Sequence, residues 1–286
     1  MYYIMPEGPE VRTVADDLRP VVSGRSIVLF ENRSGKTWML KNLEQIPLPI
    51  HVVTVSSRGK KLLFELENKG LIVASLGMTG RWSYTEGKYC HLIISFGTKT
   101  LITNTFGQPI IINAVHRSIY FTDPSSKGGG VEYIPPETRL AFLSSFGPDI
   151  LAGEIPSDVW AAIFAKRKYA NWEVCKLIHD QHAFGGIGNY LRAIILWLAR
   201  VAPMRKVSSL HPAEIEALRV HSHRTLRESY AAGGLTIKDY WAPSGKRGIF
   251  KKIIYKEAYD PYGNPVVGYK RSKGDQTCYW VPAMQN

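Results

Sequence analysis

The feature that most narrows the fold is a change of hydrophobic period at Phe146-Gly147-Pro148. Before it, residues 52–55, 61–66, 71–76 and 91–96 are short apolar or alternating runs punctuated by Gly, Asn or Lys. That is the pattern of a β-sandwich or barrel. After it, residues 159–164, 174–179, 187–199 and 212–230 fit a helical repeat. Past Gly233-Gly234 the pattern returns to β, with strands expected at 249–255 and 276–281 and a turn at Tyr262-Gly263-Asn264-Pro265. One helix leads the chain, from Pro9 to about Leu18, with Val11, Val14 and Leu18 on one face. The expected class is therefore α+β: a β domain, a hinge near residues 147–157, and a helical domain ending in a β-hairpin. A basic cleft between the two domains is a natural place for a ligand.

Charge and cysteine content bound the function. The 286 residues carry a net charge of +12, which suits a polyanionic partner as well as it suits plain solubility. The three cysteines, Cys90, Cys175 and Cys278, lie far apart, which speaks against a disulfide framework and a thiolate metal site. No run approaches the ~20 apolar residues of a membrane span, and the N-terminus lacks the charged and apolar regions of a secretory signal. These features point to a soluble intracellular protein, with the compartment left open among nucleus, cytoplasm and a site of viral DNA replication.

The segment Met5-Pro6-Glu7-Gly8-Pro9-Glu10-Val11 leads into the first helix. It resembles the start of the formamidopyrimidine-DNA glycosylase/endonuclease VIII family of base-excision repair enzymes, whose mature chains begin with Pro-Glu. The resemblance implies a nucleophilic Pro6. A free N-terminal proline is a secondary amine with a pKa near ~8. Its adduct with a sugar C1′ is an iminium that stays cationic and drives strand-cleaving elimination. Glu7 beside it is then the proton shuttle. Five residues precede Pro6, so its nitrogen is an amide as the sequence stands. Either translation starts at Met5 with methionine trimmed, or the leader is processed, or the Schiff-base chemistry is absent. A start at Met5 is the expectation.

Further matches follow. Ser57-Arg58-Gly59-Lys60 resembles the family's turn into a strand, which implies that Lys60 contacts phosphate and sugar and takes part in proton transfer. Gly185-Gly186-Ile187-Gly188-Asn189 resembles its helix-two-turn-helix, where Gly188 and Asn189 meet a phosphate at a helix N-terminus. The family's usual glutamate five residues after the asparagine is Ile194 here. His91 matches a phosphate-contacting histidine, and Lys168, in Lys166-Arg167-Lys168, adds a basic contact. Asp123-Pro124-Ser125-Ser126-Lys127-Gly128 occupies the place of a void-filling loop but lacks its arginine and aromatic. An apparent insertion near residues 104–114 precedes it, and Met78 is left as the wedge residue.

At the C-terminus, Val266, Tyr269, Val281 and Met284 stand where the family's zinc hairpin has cysteines. The segment looks like the zincless finger of the Nei-like branch, held by apolar packing in place of metal. Residues 246–286 still carry eight Lys/Arg against three Asp/Glu. The finger arginine falls to Arg271 or Lys273, and Arg271 is chosen.

The resemblance, spanning residues 5–285, divides the chain at 5–146, 147–245 and 246–286. These are a sandwich catalytic domain with a leading helix, a helix-two-turn-helix domain and a zincless finger. It implies a bifunctional glycosylase/AP lyase with Pro6, Glu7, Lys60 and Arg271 catalytic. His91, Met78, Asn189, Gly188 and Lys168 bind DNA, with no metal and no other cofactor. The partner is damaged DNA, duplex or single-stranded; a monomer is expected. A relative that binds nucleic acid without cutting is the alternative.

Overall fold

The computed structural model describes residues 5–33, 35–103, 109–126, 128–236 and 242–286. Residues 1–4, Ser34, residues 104–108 of the apparent insertion, Lys127 and residues 237–241 lie outside that set. Helix α1 (Gly8–Val22) opens the chain. Nine strands then form one sheet: β1 (Ser26–Asn32), β2 (Leu40–Lys41), β3 (Ile50–Arg58), β4 (Lys61–Leu66), β5 (Leu71–Ser75), β6 (Arg81–Ser83), β7 (Cys90–Thr103), β8 (Pro109–Thr122) and β9 (Gly130–Ile134). The helical part holds α2 (Pro136–Ser144), α3 (Ser157–Phe164), α4 (Val174–Leu177), α5 (Asn189–Leu198) and α6 (Pro212–Ala231). A two-stranded hairpin, β10 (Val267–Tyr269) with β11 (Cys278–Trp280), closes it.

The strand order is β2-β9-β5-β4-β3-β1-β7-β8-β6. Its middle is a short seam, because β1 and β3 pair through only Ser26↔His51 and Ile27↔Ile50. There the sheet doubles over. Trp82 on the β6 edge reaches Phe64 on β4, ring centroids 5.5 Å apart, and Phe121 on β8, 5.3 Å. Strands far apart in the order thus face each other, and the layers form the expected sandwich. Helix α1 covers one end, burying Val11, Val14, Ala15, Leu18 and Val22. Each such side chain contributes ~1.5–3 kcal/mol on burial. Beyond Phe96 the β7–β8 pair runs on past β1 as a two-stranded arm. The apparent insertion therefore lengthens a hairpin.

Three expectations need correction. The segment to residue 146, read as β after the first helix, ends in helix α2. Residues 249–255 are not a strand. They form turns, with Ile253 and Lys256 at φ 54° and 60°, a conformation that breaks an extended run. Phe250 makes only an isolated bridge with Leu235, its N donating to Gly234 O at 3.0 Å, and Tyr255 N turns back to Lys252 O at 2.8 Å. Finally, α4 stops at Leu177, short of His179.

The hairpin is held by packing. Val281 is fully buried and Cys278 nearly so, while Val266, Tyr269 and Met284 lie half-buried against the same core. The Tyr269 hydroxyl donates to Glu173 Oε1 at 2.9 Å. Gln285 ties the end of the chain down: its Oε1 accepts from Val281 N at 2.7 Å and its Nε2 donates to Val201 O at 2.8 Å. Among the described residues no group of three or more His, Cys, Asp or Glu could hold a metal ion. Val281→Ala is expected to lower the urea-unfolding free energy by about 2 kcal/mol. Saturating EDTA should leave the unfolding midpoint unmoved, and a chelator-induced drop would show that a metal stabilises the hairpin.

Candidate active site

The site forms where the start of α1 meets the start of α5. Pro6 is buried and leads directly into Glu7. Gly8 N donates to Gly186 O at 2.9 Å, and a Cβ on Gly8 would lie 2.8 Å from Gly186 Cα, so only glycine admits this approach. The approach carries Glu7 onto the open end of α5. Its carboxylate accepts from Tyr190 N at 2.8 Å and Leu191 N at 3.3 Å, satisfying amides that a helix N-terminus leaves without partners. Gly188 is the cap residue of α5, and a Cβ there would sit 2.0 Å from Glu7 Cδ.

Glu10 builds the layer behind. Its carboxylate accepts from Glu7 N at 2.8 Å, from Leu235 N at 2.6 Å and from the Tyr190 hydroxyl at 2.9 Å. Burial pushes the Glu7 carboxyl up to about 8, against the pull of the Lys60 charge. Glu10 is also raised, by burial first. Lys60 is lowered from its ordinary value, again by burial first, while Glu7 opposes the shift. Burial thus moves the proton affinities of an acid and a base in one site toward each other.

The turn carrying Lys60 is pinned from the helical domain. Gly59 N donates to Asp149 Oδ2 at 2.7 Å, and Asp149 Oδ1 accepts from Leu151 N at 2.9 Å. Gln181 holds the facing glycine loop, accepting from Gly186 N at 3.1 Å and donating to Ile187 O at 2.8 Å. His179 stands beside these groups with its imidazole pushed down to about 2, by burial first and then by the charges of Lys60, Arg192 and Arg271. Arg271, from the C-terminal hairpin, thus acts on the same histidine as Lys60. It is ion-paired to Asp275 at 2.8 Å. The result is a concentration of positive charge around a neutral histidine, a setting suited to a phosphate.

Asn189 opens α5 as expected, but its amide is engaged inside the protein. Its Nδ2 donates to Thr277 O at 3.0 Å and to the Tyr255 hydroxyl at 3.3 Å, and its Oδ1 accepts from Arg192. Met78 is half-buried in the turn after β5. The adjacent Thr79 hydroxyl donates to Asp123 and accepts from Ser125 N at 3.0 Å, so the Met78 turn and the Asp123 loop form one unit. His91 is only 4% exposed, and its Nε2 bonds Asp123 O at 3.0 Å. The expected phosphate-contacting histidine is instead an internal brace of that unit. Lys168 is exposed and lies over the Tyr169 ring, 4.6 Å from its centroid, without joining the Lys60 cluster. Ile194 is fully buried, so apolar packing occupies the place of the missing glutamate.

The family model for the formamidopyrimidine-DNA glycosylase N-terminal domain matches residues 5–107. A formamidopyrimidine-DNA glycosylase of Paracoccus denitrificans is 31% identical over 249 residues, covering 86% of each chain. The chain belongs to the formamidopyrimidine-DNA glycosylase family. Endonuclease 8 of Shigella sonnei is 26% identical over 290 residues, 99% of this chain and all of that one. Among solved structures, the MutM (Fpg) protein of Thermus thermophilus superposes with a TM-score of 0.79 at 26% identity, covering 98% of both chains. A Lactococcus lactis Fpg solved with DNA containing an oxidized pyrimidine shares the fold, with a TM-score of 0.78, 20% identity and coverage of 98% and 99%.

Asp149, Gln181, His179, Arg192 and Tyr255 went unnoticed as site residues in the sequence reading. Asp149 directly follows the Phe146-Gly147-Pro148 break, and Gln181 and Arg192 lie within the 180–192 stretch that resembles the helix-two-turn-helix. Their roles follow from contacts across the domain junction, which no local pattern reports. Two outcomes test this glycosylase-family site. Gly188→Ala should displace the Glu7 carboxylate and lower base release at least 100-fold, while the fold, read by circular dichroism, is kept. Glu7 holds its proton more tightly folded than unfolded, so its stabilising contribution is present below its unfolded value near 4.5 and is lost as pH rises to about 8. In denaturant titrations Glu7→Gln should therefore gain stability over the parent as pH climbs through that window, and an unchanged difference would contradict the assignment.

Proposed function

We propose that this protein is a bifunctional DNA glycosylase/AP lyase of the endonuclease VIII-like, zincless-finger type. It would excise oxidised bases, pyrimidines foremost, and nick the strand by β- or β,δ-elimination. The observation that carries the reading is the seating of Glu7 on the α5 N-terminus, directly after Pro6 and in the field of Lys60. A proton on Glu7 near neutral pH is available to the sugar ring oxygen as the glycosidic bond breaks. The neutral amine of a freed Pro6 then forms a bond to C1′. The departing base takes the glycosidic electron pair and the proton the nitrogen gives up, and ring opening, with the Glu7 proton on the ring oxygen, leaves an iminium. Loss of a C2′ proton from that iminium expels the 3′ phosphate.

An acylated nitrogen has no lone pair for this attack, so the lyase step requires cleavage of the Met5–Pro6 bond. The reading accordingly makes processing the switch for strand cutting. DNA is the partner, drawn by the +12 charge and by the Lys60, Arg192 and Arg271 cluster. The Lactococcus lactis complex with an oxidized pyrimidine supports the substrate class by likeness of fold. With the Met5–Pro6 bond intact, the same surface binds damaged DNA without cutting it, which is the second reading.

Borohydride trapping on abasic-site DNA separates the two. A chain beginning at Pro6 should give a covalent adduct, and its mass should place the modification on Pro6. The chain with residues 1–5 retained should give none. Absence of an adduct from the processed chain, with tight lesion binding kept, would overturn the lyase reading.

A further inference from the structure

The C-terminal hairpin touches the helix pair through two successive carbonyls, and each is held by a different side chain. Asn189 Nδ2 donates to Thr277 O at 3.0 Å and Arg192 Nη2 to Gln276 O at 3.2 Å. The two side chains also hold each other, since Arg192 Nη2 donates to Asn189 Oδ1. Arg192 reaches back as well, its Nη1 donating to Cys175 O at 3.3 Å on α4. One guanidinium therefore joins α4, α5 and the strand entry of β11.

This is an unusual place for an arginine. It is 5% exposed, and among the described residues it makes no ion pair. Its Nε has no hydrogen-bond partner there. Burying a charge against carbonyl oxygens alone is unfavourable, so stability by itself does not account for it. What the arrangement does achieve is geometric. A guanidinium is planar and its donors diverge in fixed directions, so it can hold several acceptors in one register where an ammonium cannot. The register it sets belongs to the hairpin that carries Arg271, which is braced to Asp275 one residue before Gln276.

We propose that Arg192 is a positioning residue: with Asn189 it clamps the Gln276–Thr277 backbone and so holds Arg271 over the Lys60 side of the cleft, supplying the stiffness that a metal would give a finger. The role rests on the glycosylase reading for the ligand, but the clamp is a property of the chain itself. Lysine at position 192 keeps the charge and loses the divergent donors; methionine loses both.

The test is a double-substitution cycle on the full chain. Dissociation constants are measured for a duplex carrying a tetrahydrofuran abasic analogue, using Arg192→Lys, Arg271→Ala and the pair. Each single change should weaken binding about tenfold, the scale of one hydrogen bond to a charged group. The pair should be no weaker than the worse single variant within twofold. Single-turnover base release at saturating enzyme should fall far less than affinity. Multiplying effects would overturn the proposal, as would parental affinity in Arg192→Lys. Hydrogen exchange of Cys278–Trp280, measured without DNA, gives an independent arm. Arg192→Lys and Arg192→Met should each speed it at least tenfold, and unchanged exchange overturns the clamp. If the parent shows no preference for the abasic duplex, the glycosylase reading fails, and the exchange arm still decides the clamp.

Discussion

The Glu7 carboxylate accepts hydrogen bonds from the backbone of Tyr190 and Leu191, 183 and 184 residues further along the chain. The arrangement joins the helix that begins the β domain to the helix on which the glycine loop ends. It satisfies helix-terminal amides that would otherwise be buried without partners. It also places a carboxyl where burial favours its protonated form. One contact thus joins the start of α1 to the start of α5 and sets the state of the carboxyl between them. Gly8, Gly186 and Gly188 are the clearance this requires, because any side chain at Gly8 or Gly188 would occupy the space of the backbone or the carboxylate it faces.

Around that contact the site has two polar layers with different duties. Glu10, Tyr190 and Leu235 form the inner layer, which orients the Glu7 backbone and fixes the α1 end. Asp149 and Gln181 form a bracket from the helical domain that sets the Lys60 turn and the glycine loop against each other. The cations Lys60, Arg192 and Arg271 act together on His179, whose imidazole is held low by burial first and by their charges second. A phosphate entering there meets charge already in place, so little reorganisation is needed on binding.

Much of this was legible in the sequence, for identifiable reasons. The leading helix, the sandwich strands and the helix-two-turn-helix are coded by local period and by short motifs, and Glu7, Lys60 and Gly188 lie inside those motifs. Residues 249–255 misled because an apolar run resembles a strand when the left-handed turns at Ile253 and Lys256 are not visible. His91 was taken for a surface contact because a strand face does not disclose which side is covered; the Asp123 loop covers it. Asn189 was placed correctly at the helix start, yet its partners Thr277 and Tyr255 come from the far end of the chain. Arg192 was invisible for the same reason. Long-range hydrogen bonding, not composition, distinguishes a clamp from a solvated arginine.

The C-terminal hairpin is held by apolar packing and a few long-range hydrogen bonds. Val281 and Cys278 enter the core, Tyr269 hydrogen-bonds Glu173, and Gln285 closes the terminus on Val201. These contacts are distributed, where a metal would concentrate them at one point. The central claim remains the state of Glu7, and an NMR titration of its side-chain carboxyl carbon reads it most directly. A midpoint near pH 8 is the result this account predicts. A midpoint at the ordinary carboxylate value of about 4.3 would mean that Glu7 is solvated and ionised, and would contradict the account.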